Sequence, residues 1–123
     1  SSIKNTKPIT VYLNGTELYF DSAPTIKNQK TMVPMRKIFE SLGSSVEWNG
    51  STKTVTASSN NKNISLTIGS DIAYVNGSKI QLEAAPFIQD DRTFVPLRFV
   101  SENLGAGVKW DGDLRRVTIT TKE

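Results

Sequence analysis

The residues of this 123-residue chain whose types and spacing could do chemistry are two tryptophans, two arginine–glutamate pairs and two small clusters of aspartate. Trp48 and Trp110 each stand just before an Asx-Gly dipeptide at the end of an expected strand. They could serve as flat platforms for sugar rings, helped by Tyr12, Tyr19 and Tyr74. The competing reading is packing. Strand alternation places Trp48 with Val46, and Trp110 with Val108, on the face expected to be buried over the neighbouring helix, and this reading is the favoured one. Arg36 and Arg98 follow a proline by two residues, with Glu40 and Glu102 four residues on. A cation in a first helical turn opposes the macrodipole, and Arg before Glu is the poorer order for such a pair. Compensation is therefore expected from a carboxylate or from backbone carbonyls, as a structural clamp. Capture of an anionic glycan or a peptide carboxylate is the alternative.

The remaining chemistry is excluded more than suggested. With no cysteine and no histidine, disulfide frameworks, thiolate or imidazole metal sites, Ser-His-Asp and Cys-His catalysis and histidine pH switches each lose a required part. Asp111-Gly112-Asp113 and Asp90-Asp91 are the tight carboxylate groups. Calcium would need further Asx ligands and a terminal Glu, but Leu114-Arg115-Arg116 interrupts that spacing. Both groups read more simply as turns and loops, so no catalytic residue, metal or cofactor is expected. The net charge of +3 is spread thinly, and the longest basic run, Arg115-Arg116, lies beside Asp111 and Asp113. Nucleic acid is therefore not an expected partner. No apolar stretch approaches the ~18 residues of a membrane span. Asn-x-Ser/Thr sequons occur at Asn14, Asn49, Asn63 and Asn76, and three of these are also Asn-Gly turn signals.

The elements that must position these residues occur twice. Shifting the chain on itself by 62 positions aligns residues 9–61 with 71–123 at 18 identities in 53 gapless positions. Chance would give about three or four at ordinary composition. Thr31-Met32-Val33-Pro34-Met35-Arg36 falls on Thr93-Phe94-Val95-Pro96-Leu97-Arg98, and Trp48 on Trp110. Each unit reads as a hairpin around Asn14-Gly15 or Asn76-Gly77, then an Ala-Pro turn and a short extended piece. A proline-opened helix follows, and a second hairpin at Asn49-Gly50 or Asp111-Gly112 closes the unit. Met35, Ile38, Phe39 and Leu42 supply the apolar stripe of the first helix, and Leu97, Val100 and Leu104 that of the second, with Gly43 and Gly105 as C-caps. The expectation is an α+β fold of two ββαββ repeats, with antiparallel strands wrapped around two short amphipathic helices. Residues 1–8 form a linker or arm, 9–59 the first repeat and 60–123 the second, the two packed as one domain. Residues 57–63 are expected to be a loop. Ile64–Ile68 adds a strand with no upstream counterpart unless the N-terminal arm supplies one.

The pattern Val-Asn-Gly, Ala-Pro, Thr-Phe-Val-Pro-Leu-Arg, Glu-Asn-Leu-Gly-Ala and Val-Lys-Trp-Asp, from Val75 to Asp111, resembles the copper amine oxidase N-terminal-like, or stalk, domain. The first repeat carries the same pattern with Met32 and Met35 in place of Phe and Leu. The resemblance implies two tandem copies of a module found in secreted and cell-surface proteins of Gram-positive bacteria, often beside wall-active or S-layer modules. It implies a non-catalytic appendage, copper and the quinone cofactor lying elsewhere in the oxidases. The expected function is therefore a spacer or attachment domain of a larger extracellular protein, with neighbouring domains as partners. The alternative is a carbohydrate-binding module for cell-wall glycan or plant polysaccharide. A third expectation is weak self-association through a sheet edge, at Val117–Thr121 or Ile64–Ile68.

Overall fold

The computed structural model describes residues 8–59 and 61–121; the expected arm at residues 1–8 lies almost wholly outside them. The chain is mixed α and β, mostly sheet with two short helices. In chain order the first half holds β1 (Thr10–Leu13), β2 (Thr16–Leu18), β3 (Thr25–Lys27), β4 (Lys30–Pro34), α1 (Met35–Ser41), β5 (Ser45–Asn49) and β6 (Thr54–Ser59). β7 (Lys62–Thr67) follows alone. The second half holds β8 (Ile72–Val75), β9 (Ser78–Gln81), β10 (Phe87–Gln89), β11 (Arg92–Pro96), α2 (Leu97–Asn103), β12 (Gly107–Asp111) and β13 (Arg116–Thr120). Each half is thus ββββαββ rather than ββαββ. The extended piece before each helix is one arm of a further hairpin, turning at Asn28-Gln29 and at Asp90-Asp91, where all four residues have φ between 52° and 66°. Asn and Asp tolerate that left-handed backbone at three of the four positions, with Gln29 the fourth, so these turns form without the glycine that marks Asn14-Gly15 and Asn76-Gly77.

The two halves meet at the middle of a four-stranded sheet of order β10-β11-β4-β3. β4 and β11 pair antiparallel in the register Met32–Pro96, Val33–Val95 and Pro34–Phe94. Val33 and Val95 are each other's counterparts in the duplication, so a local twofold axis passes between them. Both are fully buried in one continuous core fed by both halves. On the sheet's other face Met32 and Phe94 make a small second core with Ala84, and Phe87 stacks on Phe94 with ring centroids 5.0 Å apart.

Proline closes β4 and β11 and caps each helix. Its missing N–H is no loss at that position. Both helices end in full Schellman geometry. Ser44 N–H bonds the Phe39 carbonyl at 2.9 Å and Ala106 N–H bonds the Ser101 carbonyl at 2.9 Å, around Gly43 and Gly105 at φ 79° and 93°.

The outer strands depart from the twofold. One sheet runs β12-β13-β1-β2, and its β1–β13 pair, joining the first strand of one half to the last of the other, is parallel. By symmetry β8 would lie against β6. Instead β7 inserts between them, giving the five-stranded order β5-β6-β7-β8-β9 with antiparallel pairs throughout. Of residues 57–63, expected as a loop, 57–59 end β6 and 62–63 begin β7. Val117–Thr121 and Ile64–Ile68, expected as exposed edges, fall chiefly on β13 and β7, and both of those strands are flanked on each side. The β5–β6 and β12–β13 connections are longer than two-residue turns. Asn49 Oδ1 accepts from Ser51 and Thr52 N–H, Asp111 Oδ1 from Asp113 and Leu114 N–H, and Lys53 and Arg115 take positive φ.

Two substitutions test this packing. Ser101, fully buried, holds the position of Phe39 in the other half, and its hydroxyl has no partner among the described residues. Ser101→Ala is expected to leave stability unchanged or raise it by about 1 kcal/mol, since an unpaired buried hydroxyl is removed, read from the urea midpoint. Asp91→Gly, at φ 60°, should raise stability by up to about 1 kcal/mol by relieving the left-handed backbone, read from the same midpoint.

Candidate functional site

Each helix, the edge strand after it and a hairpin from the opposite half enclose a groove. The first, of about 580 Å³, is lined by Pro96, Leu97, Arg98, Phe99 and Glu102 of α2 and its cap, by Val108 and Trp110 of β12, and by Ile26 and Gln29 to Thr31 of the β3–β4 hairpin. Gln81 to Ala84 and Val117 complete it. The second, of about 600 Å³, joins α1, Trp48 of β5, and Ile88 and Asp91 to Thr93 of the β10–β11 hairpin, with Tyr19 and Asp21 at its rim. The sets of lining residues do not overlap. Each of the twelve residues lining the second groove has its counterpart, 62 positions away, lining the first. Six of the twelve pairs are identical (Ile26/88, Thr31/93, Pro34/96, Arg36/98, Glu40/102, Trp48/110), against 18 of 53 along the repeat. The grooves have therefore diverged less than the scaffold around them.

Trp48 and Trp110 are 39% and 42% exposed, which corrects the expectation that they lie on a buried face. Val46 and Val108 do pack against the core. A seven-residue helix is only about 10 Å long and leaves the indole two residues farther along at the groove wall. Neither indole N–H has a partner among the described residues, and each indole nitrogen lies near its turn glycine, about 3.6 Å from where a Cβ on Gly50 would stand and 3.5 Å for Gly112.

Arg98 donates to Glu102 at 3.1 Å and to the Val108 carbonyl at 3.1 Å, tying α2 to β12. Arg36 pairs with Glu40 at 3.7 Å. Two further ion pairs cross between the halves: Lys30 with Glu83 at 3.0 Å in the first groove and Arg92 with Asp21 at 3.4 Å in the second. These are equivalent pairs, and sequence reasoning missed both. The signal was present, since the positions keep their sign across the duplication, Lys30 against Arg92 and Asp21 against Glu83.

Of the candidate tyrosines, Tyr19 joins the second groove, whereas Tyr12 and Tyr74 line neither. Tyr12 stacks beneath the Arg116 guanidinium at 4.4 Å and donates to Glu17, and Tyr74 lies exposed on β8. Asp90 and Asp91 form a turn, and Asp111 caps one. Among the described residues no group of three or more acidic side chains could hold a metal ion. No described helix is long and apolar enough to cross a membrane.

The sequence pattern of the copper amine oxidase N-terminal domain family matches residues 12–119, across both halves. The chain belongs to that family. The family takes its name from an N-terminal, non-catalytic domain of the oxidases, consistent with a non-catalytic role. A protein of Brevibacillus choshinensis named "Protease inhibitor" is 32% identical over 118 residues, covering 95% of this chain and 35% of that protein. The chain therefore spans about a third of that relative's length.

Glu17 sets the ionisation of one rim residue. It accepts a hydrogen bond from the Tyr19 hydroxyl, and its charge opposes the phenolate, so Tyr19 titrates above its ordinary value of 10.0. Glu17→Gln is expected to lower the Tyr19 transition, followed by the ultraviolet absorbance of phenolate.

Proposed function

We propose that this chain is a non-catalytic, extracellular attachment module that holds a larger protein to carbohydrate at the bacterial cell surface and spaces its neighbouring domains. The proposal includes two tandem copies, residues 9–59 and 60–123, acting as one domain. The observation that carries it is the repeated indole. At the same place in both halves a half-exposed tryptophan with an unpartnered N–H stands beside an arginine–glutamate pair. Sugar recognition needs this combination, an apolar face for the ring's C–H surface and planar polar groups for its hydroxyls. A pure spacer would have no need to retain either groove. The match to one third of a longer relative supports membership of a larger protein.

Tryptophan emission tests the reading. Iodide is expected to quench both indoles, and emission should shift and saturate on titration with peptidoglycan fragments or soluble plant glycans. Replacing Trp48 and Trp110 together by Ala should weaken binding about tenfold or more, equivalent to at least roughly 1.4 kcal/mol. Emission unmoved by every glycan would leave the spacer role alone. The relative's name supports a second reading, contact with a protease. That reading falls if the chain leaves the hydrolysis rates of secreted bacterial proteases unchanged.

A further inference from the structure

Beyond a general affinity for glycan, and resting on that reading, we infer that the chain is a bivalent receptor for uncharged polysaccharide, with one site in each groove and each site built from both halves. Three observations carry this.

All twelve lining residues of the second groove have counterparts in the first, which adds Leu82, Ala84, Val108 and Val117, and the two share no lining residue, so they are two separate grooves.

Their charge is balanced. The first groove has Lys30 and Arg98 against Glu83 and Glu102, two cations to two anions, Lys30 paired with Glu83 across the groove and Arg98 with Glu102 along α2. The second has Arg36, Lys37 and Arg92 against Asp21, Glu40 and Asp91, three to three. A polyanion entering either groove would meet as many carboxylates as cations, and Lys30, Arg36, Arg92 and Arg98 are each already held in an ion pair. Among the described residues Lys37 alone of the groove cations stands outside one. A neutral sugar can accept from the guanidinium and donate to the carboxylate of the same pair without separating charge. The two ion pairs thus select against the anionic ligand that Arg36 and Arg98 suggested as isolated residues.

Each groove is also completed from across the twofold. Its indole and helix come from one half and its hairpin from the other, bridged by Lys30–Glu83 or Arg92–Asp21. The sites differ at six of the twelve matched positions. Phe99 of the first groove stands where the second has Lys37, and Gln81 where it has Tyr19, so their affinities should be unequal. Two sites on one rigid body allow the module to bridge two strands, or two points on one strand, with the gain in avidity that a second intramolecular contact brings.

Isothermal titration of the whole chain with cellohexaose and with the hexamer of N-acetylglucosamine tests this, with oligogalacturonate as the anionic comparison. The expected result is two neutral oligosaccharides per chain, with oligogalacturonate binding more weakly. Trp48→Ala and Trp110→Ala should each lower the stoichiometry to one, the remaining site keeping its affinity. Glu83→Lys, at an exposed position, gives the first groove excess positive charge and should gain oligogalacturonate binding at one site only, independently of either tryptophan variant's folding. A wild-type stoichiometry of one, loss of all binding on a single tryptophan substitution, or tighter binding of oligogalacturonate overturns bivalent neutral recognition while leaving the glycan reading in place. No heat with any oligosaccharide overturns both.

Discussion

The antiparallel pairing of β4 with β11 is the constraint from which the rest of the molecule follows. Val33 sits opposite Val95, its own counterpart, and both are fully buried. A strand pair of this kind can form only if the two halves approach head to tail about a twofold. That approach sends each helix, which leaves its strand directly after the proline, alongside the other half's hairpin. A half folded alone would leave Val33 or Val95 facing water, and each contributes about 1.5–3 kcal/mol on full burial. Such a half would also present β4 as an open edge. A unit of about 60 residues has little core to spare for such losses. The grooves are consequences of this geometry, since the walls facing each indole belong to the half it does not come from.

The departures from symmetry are as informative as the symmetry. Phe39 is fully buried, and its counterpart is Ser101, whose hydroxyl is left without a partner among the described residues. The aromatic side chain of the second half stands instead at Phe99, in the groove wall, where the first half has Lys37. β7 breaks the twofold at the periphery. By entering between β6 and β8 it replaces what would have been a parallel contact, of the kind β1 makes with β13, by two antiparallel ones. It also makes the link between the halves part of a sheet.

Much of this was legible in the sequence, and the rest failed for identifiable physical reasons. The duplication, the Asn-Gly hairpins, the proline-opened helices and their glycine caps are local features, fixed by backbone preferences that single residues declare. The hairpins at Asn28-Gln29 and Asp90-Asp91 are not legible because no glycine marks their left-handed φ. Residues 57–63 look like a loop by composition, but pairing on both sides holds polar strands extended. The tryptophans' alternation with Val46 and Val108 was read correctly as a shared face. How far a two-turn helix covers that face depends on tertiary reach, which no local pattern encodes. The cross-half ion pairs needed the fold itself, although Lys30/Arg92 and Asp21/Glu83 keep their charge signs at matched positions.

Nuclear Overhauser contacts between the backbone protons of Val33 and Val95, in isotope-labelled whole chain, measure the central claim most directly. The account predicts a strong cross-strand contact between these two residues, flanked by equal contacts from Met32 to Pro96 and from Phe94 to Pro34. Contacts confined within residues 9–59 and within 60–123, with none linking Val33 to Val95, would contradict it and remove the shared walls on which both grooves depend.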